Sequence, residues 1–224
     1  MTTILEAADR IEQFVGASLT KRISAIETNL KGFDKKACEN LYPSFDITLT
    51  LFDSAFTLKK AAGQIDVLIH AIGILLLLPH ILDEGETIEV LSLGAGNTGR
   101  PFDLETNQRV AEFKFINWQG GSESIRQNSL FKDYYLMAEH PTTKSKYLYV
   151  VGTKHPLKFL TGGRSLDSVF SRNTKLGSDF QKKYGVQFTK VCDYYEFRKS
   201  VVQLVDVTEI IPQLNTFAKT DVKK

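Results

Sequence analysis

Residues 101–116 read PFDLETNQRVAEFKFI, two short stretches of alternating polar and apolar character around a turn centred on Asn107 and Gln108. With the turn there, Thr106 faces Arg109, Glu105 faces Val110, Leu104 faces Ala111 and Asp103 faces Glu112. A symmetric two- or four-residue loop leaves that register unchanged. Directly opposed residues share a face with Cβ atoms ~5 Å apart, and period-two alternation adds Lys114 beside Glu112. Phe102, Leu104, Ala111, Phe113 and Phe115 are expected on the other face, toward a core. The spacing predicts two carboxylates and an amine on one patch of a rigid hairpin.

Working outward, TIEVLSLG from Thr87 predicts a strand before the hairpin. Apolar residues from Leu58 to Leu82 predict a long helix before that. The uninterrupted apolar run in this helix, Ala71 to Leu78, falls short of the ~20 residues that a bilayer requires. It is read as a buried core helix, with no membrane as partner. After the hairpin, residues from about Glu123 to His140 have helical spacing at Leu130, Tyr134, Met137 and Ala138, with Ser122 as N-cap. KYLYVVG then predicts a buried strand. The order is helix, three strands, helix, strand. At the N-terminus, residues 3–16 and 18–31 predict a helical hairpin, while FDITLTLF from Phe45 fits strand or helix alike. Beyond residue 152, helices are expected around LDSVFSR, SDFQKKYG and VCDYYEFRK, and a late strand at VVQLVDV. The implied regions are 1–57, helical; 58–152, the core; and 153–224, basic, mainly helical and packed on the core.

The composition fits a chain that buries a real core, with 42% hydrophobic residues and 24% charged. Disorder is expected only in the tail from Lys219 to Lys224. The first residues read as a helix start rather than a secretory signal, so a cytoplasmic location is expected. Cys38 and Cys192 have no partner at metal-ligand spacing and read as buried thiols, and the four His residues read as core or surface histidines. The net charge of +2 is unevenly distributed: residues 153–224 hold 13 Lys and Arg against 7 Asp and Glu. That basic end, with Lys182 and Lys183 among aromatic residues, is where a polyanion would be drawn.

Two opposed carboxylates repel unless a cation lies between them, and a hard divalent ion such as Mg²⁺ takes oxygen ligands of this kind. Such an ion polarises a phosphate oxygen and acidifies a bound water, and Lys114 can orient that water or neutralise growing charge. The element order, with Asp103 on the second strand and Glu112-Phe113-Lys114 on the third, resembles the PD-(D/E)XK nuclease superfamily. The residue before Asp103 is Phe102, and the proline stands one place further back at Pro101. The resemblance implies an α/β restriction endonuclease-like core with added N- and C-terminal helices. It implies Asp103 and Glu112 as metal-binding acids, Lys114 as the catalytic lysine, and the Phe113 carbonyl in the shell of Mg²⁺ or Mn²⁺. Arg126 or Gln127, on the following helix, takes the family's polar position, and Asp66 is the one candidate acid on the preceding helix. The expected activity is phosphodiester hydrolysis by an endonuclease of restriction or defence type. DNA is the expected partner, with a homodimer left open.

Gly94-Ala-Gly96-Asn-Thr-Gly99 supplies a rival, a nucleotide-binding turn like that of S-adenosylmethionine-dependent methyltransferases. Against it stand Ser92 where that motif carries an acid, a stretch from Arg100 to Arg109 too short for the required helix, and Glu112 in mid-strand. Otherwise these glycines make a turn from which Arg100 could touch a phosphate. A third class, a nucleic-acid-binding module without chemistry, is disfavoured by the presence of both acids and the lysine. Trp118, after the third strand, is read as a core cap before a base-stacking residue.

Overall fold

The computed structural model describes residues 2–35, 45–94, 101–115, 118 and 123–214. The chain divides into two compact units, Met1–Leu68 and Ile69–Lys224. In the first unit, α1 (Ile4–Val15) and α2 (Leu19–Asn29) form where the apolar spacing predicts them. Both start at hydroxyl caps. Thr3 accepts from the Glu6 N–H while the Glu6 carboxylate takes the Thr3 N–H at 2.8 Å, and Ser18 accepts from the Lys21 N–H.

Helix α3 (Leu49–Ile81) begins inside the ambiguous FDITLTLF stretch and continues across residue 57 into the second unit. It departs from the buried core helix expected. Ile74, Leu77 and Ile81 form one buried stripe, but Phe52, Phe56, Ile65, Leu68, Ile72 and Leu75 are exposed. From Val67 to Leu78 only His70 interrupts its apolar surface, whereas one stripe there is covered. By length and composition it could cross a membrane, and only 17% of its most apolar window is buried.

In the second unit α3 is followed by β1 (Ile88–Leu91), β2 (Leu104–Thr106), β3 (Arg109–Lys114), α4 (Ser124–Glu139) and β4 (Ser145–Val150), the order the sequence predicts. The basic region adds α5 (Lys154–Leu160), α6 (Leu166–Phe170), α7 (Thr174–Tyr184), α8 (Val191–Arg198), β5 (Gln203–Asp206) and α9 (Val207–Ile210). The fold is mixed α/β, with a five-stranded sheet of order β1-β2-β3-β4-β5. β1, β2 and β3 are antiparallel neighbours, and β3, β4 and β5 run parallel. The expected cap Ser122, Cys38 and the tail from Lys219 lie outside the described residues; Cys192 is half-buried.

The sheet is covered on both faces. On one, Val110, Leu148 and Val150 pack with Phe131, Tyr134 and Met137 of α4 and with α5 to α8. On the other, Leu104, Ala111, Phe113 and Tyr149 pack with Ile74, Leu77 and Ile81 of α3 and with Val207. α3 lies close to this face at Gly73, where a Cβ would stand 2.5 Å from the Phe115 ring. Because β3 alternates, Glu112 and Lys114 share the α4 side with Val110.

The hairpin register is the predicted one, Leu104 opposite Ala111 and Glu105 opposite Val110. A buried ionic network holds its turn end. Arg109 donates from Nε to Glu86 Oε1 at 2.6 Å and from Nη2 to Asp83 Oδ2 at 2.8 Å. The Thr106 hydroxyl donates to Glu86 and accepts the N–H groups of Gln108 and Arg109. Removing one partner of a buried pair leaves the other uncompensated, whereas replacing both by apolar groups does not. Glu86→Gln should therefore cost about 3 kcal/mol in urea unfolding. Glu86→Leu with Arg109→Leu should recover much of it; a double variant as unstable as the single would refute this.

Candidate active site

Glu112 and Lys114 sit at the carboxyl end of β3, Glu112 beside Leu148 of β4 and Lys114 beside Val150, which is itself in register with Asp206 of β5. In parallel sheets this end is where ligands bind, because the chain leaves the sheet there and opens a crevice. Asp206 fixes the neighbouring loop, its carboxylate accepting the N–H groups of Gly152 and Thr153 at 3.1 Å each.

Asp103 reaches the same place in a way that simple alternation does not predict. Continuing the ladder would pair Phe113 with Phe102, but the Phe113 N–H donates instead to Asp103 Oδ2 at 3.0 Å. A carboxylate thus takes over a backbone acceptor's role and the strands part. Phe102 is the casualty of the expected pattern, since it packs on the α4 side against His140 instead of beside Leu104. In an extended strand the N–H and C=O of one residue point to the same side, which puts the Phe113 carbonyl on the β2 side of β3. Asp103 Oδ1 faces His70 Nε2 of α3 at 3.4 Å.

The ammonium of Lys114 lies between two acids, 2.6 Å from Glu112 Oε1 and 2.8 Å from Asp133 Oδ2. All three side chains are largely buried, at 20%, 13% and 12% exposure. Burial raises the Glu112 carboxyl well above its usual range; Lys114 offsets part of the rise, and Asp103 and Asp133 add to it. For Lys114 burial alone would lower the pKa, but Asp133 and Glu112 outweigh it and hold the amine protonated. Asp133 is the residue that the hairpin could not reveal. It stands at i+3 in the stripe Leu130, Tyr134, Met137, and a carboxylate in an apolar stripe of this kind is the available signal of a buried cationic partner. His70 had no such signal, since its spacing matches no ligand pattern.

The other expected residues are placed as follows. Arg126 pairs with Glu123 at 2.7 Å and, with Lys114, Trp118, Ser129, Val150 and Pro156, borders a cleft. Trp118 also packs against Phe159 and His155, a core role at the cleft wall. The Gln127 side-chain Oε1 accepts from Arg164 Nη1. Lys182 is exposed, 3.8 Å from Asp179. Lys183 binds Glu139, which also accepts from the hydroxyls of Tyr184 and Tyr194 and from Arg198. The aromatic residues interleaved with these lysines build a core around Phe180 and Tyr194, and neither lysine borders the cleft at Lys114. Asp66 falls in the first unit and is exposed. Arg100, Gly96 and Gly99 lie outside the described residues, but the strands flanking the glycine stretch, β1 and β2, are antiparallel, whereas a dinucleotide-binding turn leads into a helix that returns to a parallel strand.

Among the described residues no three His, Cys, Asp or Glu side chains already form a metal-binding group. Mg²⁺ keeps several waters and needs only one or two carboxylates with the substrate phosphate. Asp103 and Glu112 are two carboxylates of that kind. Three acids face one ammonium, an imbalance that Glu112 reduces by holding its proton and that a divalent cation would balance with all three ionised.

Lys114→Met should destabilise the metal-free protein by about 3 kcal/mol at pH 8, because two buried carboxylates lose their counter-charge. The loss should be smaller at pH 6. A carboxyl whose folded pKa is raised binds more protons in the native than in the unfolded state, so stability falls as pH rises through the folded value. Thermal unfolding in EDTA at both pH values measures this, and an equal loss at both would show that the acids are not coupled to the lysine. Comparisons with protein-family models, with curated proteins and with solved structures each find no match.

Proposed function

We propose that this protein is a divalent-metal-dependent nuclease with a restriction endonuclease-like core, hydrolysing phosphodiester bonds in nucleic acid, DNA foremost. The observation that carries the reading is the convergence of Asp103, Glu112 and Lys114 at the carboxyl end of β3, with the ammonium held between Glu112 and Asp133. Support also comes from the order helix, three strands, helix, strand. A role of restriction or defence type rests on analogy of fold.

Asp103 and Glu112, with the Phe113 carbonyl, would hold Mg²⁺ or Mn²⁺. When bound, such an ion supplies charge to a phosphate oxygen and acidity to a water. Lys114, kept protonated, donates a hydrogen bond toward the attacked phosphate and stabilises the negative charge that grows there. Asp133 keeps that ammonium on station when Glu112 turns its charge to other partners, so it is a positioning residue. The partial burial around Val150 and Trp118 excludes water and strengthens each of these interactions.

The test is incubation of purified protein with supercoiled plasmid, linear duplex and single-stranded DNA in Mg²⁺, Mn²⁺ or EDTA. Cleavage is expected with metal and not with EDTA. Asp103→Asn and Lys114→Met should each lower the rate by roughly 10²- to 10³-fold, the range for losing a group that stabilises transition-state charge. Asp133→Asn should lower kcat with little change in KM, and Asp133→Glu should restore part of it. Normal cutting by Lys114→Met would remove the lysine from the mechanism.

A further inference from the structure

We infer that a second groove, between the first half of α4 and the turn joining α6 to α7, binds a nucleotide unit of the strand being cut. The inference rests on the nuclease reading above. Asn128, Ser129 and Lys132 on one face of α4 form one wall, and Val169, Arg172 and Leu176 form the floor and the other wall. All belong to the second unit. Ser129 also borders the cleft that holds Lys114, so the two depressions meet at that serine.

The charges of this groove differ from those elsewhere in the basic region. Lys183 and Arg198 are taken up by Glu139, Arg126 by Glu123 and Lys114 by two acids. Lys132 and Arg172 are exposed and have no ion-pair partner among the described residues. They come from different elements and stand on the same groove, which is the arrangement that grips a phosphate, with arginine able to bind two of its oxygens at once. The apolar floor of Val169 and Leu176 suits a sugar or base rather than a bare anion. Asn128 adds a second indication, because its Oδ1 is buried without a partner. A phosphodiester group has no donor for that oxygen, whereas a nucleotide carries donors on its sugar or base. The phosphate grip expected at Lys182 and Lys183 is thus assigned instead to Lys132 and Arg172, one serine away from the reacting centre.

The experiment is a binding titration of labelled duplex and single-stranded oligonucleotides, in the Lys114→Met background, at several salt concentrations. Lys132→Glu with Arg172→Glu should raise Kd and reduce the log-log salt slope by ~0.9 per lost phosphate contact on duplex and by ~0.7 on single strands. Melting temperature should be unchanged, because both side chains are exposed. A parent that binds with a steep slope, and a double variant with the same slope and Kd, would overturn the groove and leave the nuclease reading standing. A parent that binds neither oligonucleotide, together with a wild-type protein that cuts none, would overturn both.

Discussion

The register of the β2–β3 hairpin is the constraint on which the rest depends. Side chains on a strand alternate with a period of two, so a slip of one residue would send Glu112 and Lys114 into the layer under α3 and Phe113 to the α4 side. Two fastenings prevent the slip. At the turn, Thr106 and Arg109 close on the buried Glu86; at the far end, the Asp103 carboxylate takes the Phe113 N–H. The second fastening is itself a residue of the site, so the interaction that ends the ladder also delivers an acid to the place where Glu112 emerges. α3 and α4 then clamp the two faces through Leu77 and Tyr134.

Such a site is expensive to keep in a folded protein. Buried carboxylates that lack sufficient counter-charge disfavour folding, and Glu112 responds by holding its proton more tightly than an ordinary glutamate. Apolar residues of equal volume at 112, 114 and 133 would serve a core better. Local rules are broken in this way mainly where chemistry requires it. The contrast with Glu139 is instructive: that carboxylate is also buried, but Lys183, Tyr194, Tyr184 and Arg198 satisfy it and lower its pKa to about 2. One cluster is balanced and structural; the other is left short of positive charge.

Much of this was legible locally. Alternation and turn position were enough to give the pairs Leu104 with Ala111 and Glu105 with Val110, and to bring Glu112 and Lys114 onto one face. Apolar spacing located α4, β4 and β5 for the same reason, since the period of a helix or strand is written in consecutive residues. Long-range information was harder to obtain. Phe102 changed faces because a side chain, not the backbone, completed the last hairpin bond. His70 and Asp133 reach the site from elements 33 and 30 residues away in sequence from Asp103, and only the tertiary fold brings them there. α3 misled in another way: hydropathy measures how apolar a helix is, not how much of it finds a partner, so one buried stripe and a buried circumference look the same. The partner of Lys183 is not legible either, because Glu139 lies on another helix.

Direct binding of a divalent cation tests the central claim, that the hairpin acids form a metal site governed by Lys114. Calorimetric titration with Mn²⁺ of the wild-type protein, Glu112→Gln and Lys114→Met separates the contributions. Wild type should bind, Glu112→Gln should bind at least about tenfold more weakly, equivalent to ~1.4 kcal/mol, and Lys114→Met should bind no more weakly than wild type, because the ammonium competes for Glu112. Mn²⁺ binding by Glu112→Gln as tight as by wild type, or no binding by wild type, would contradict it.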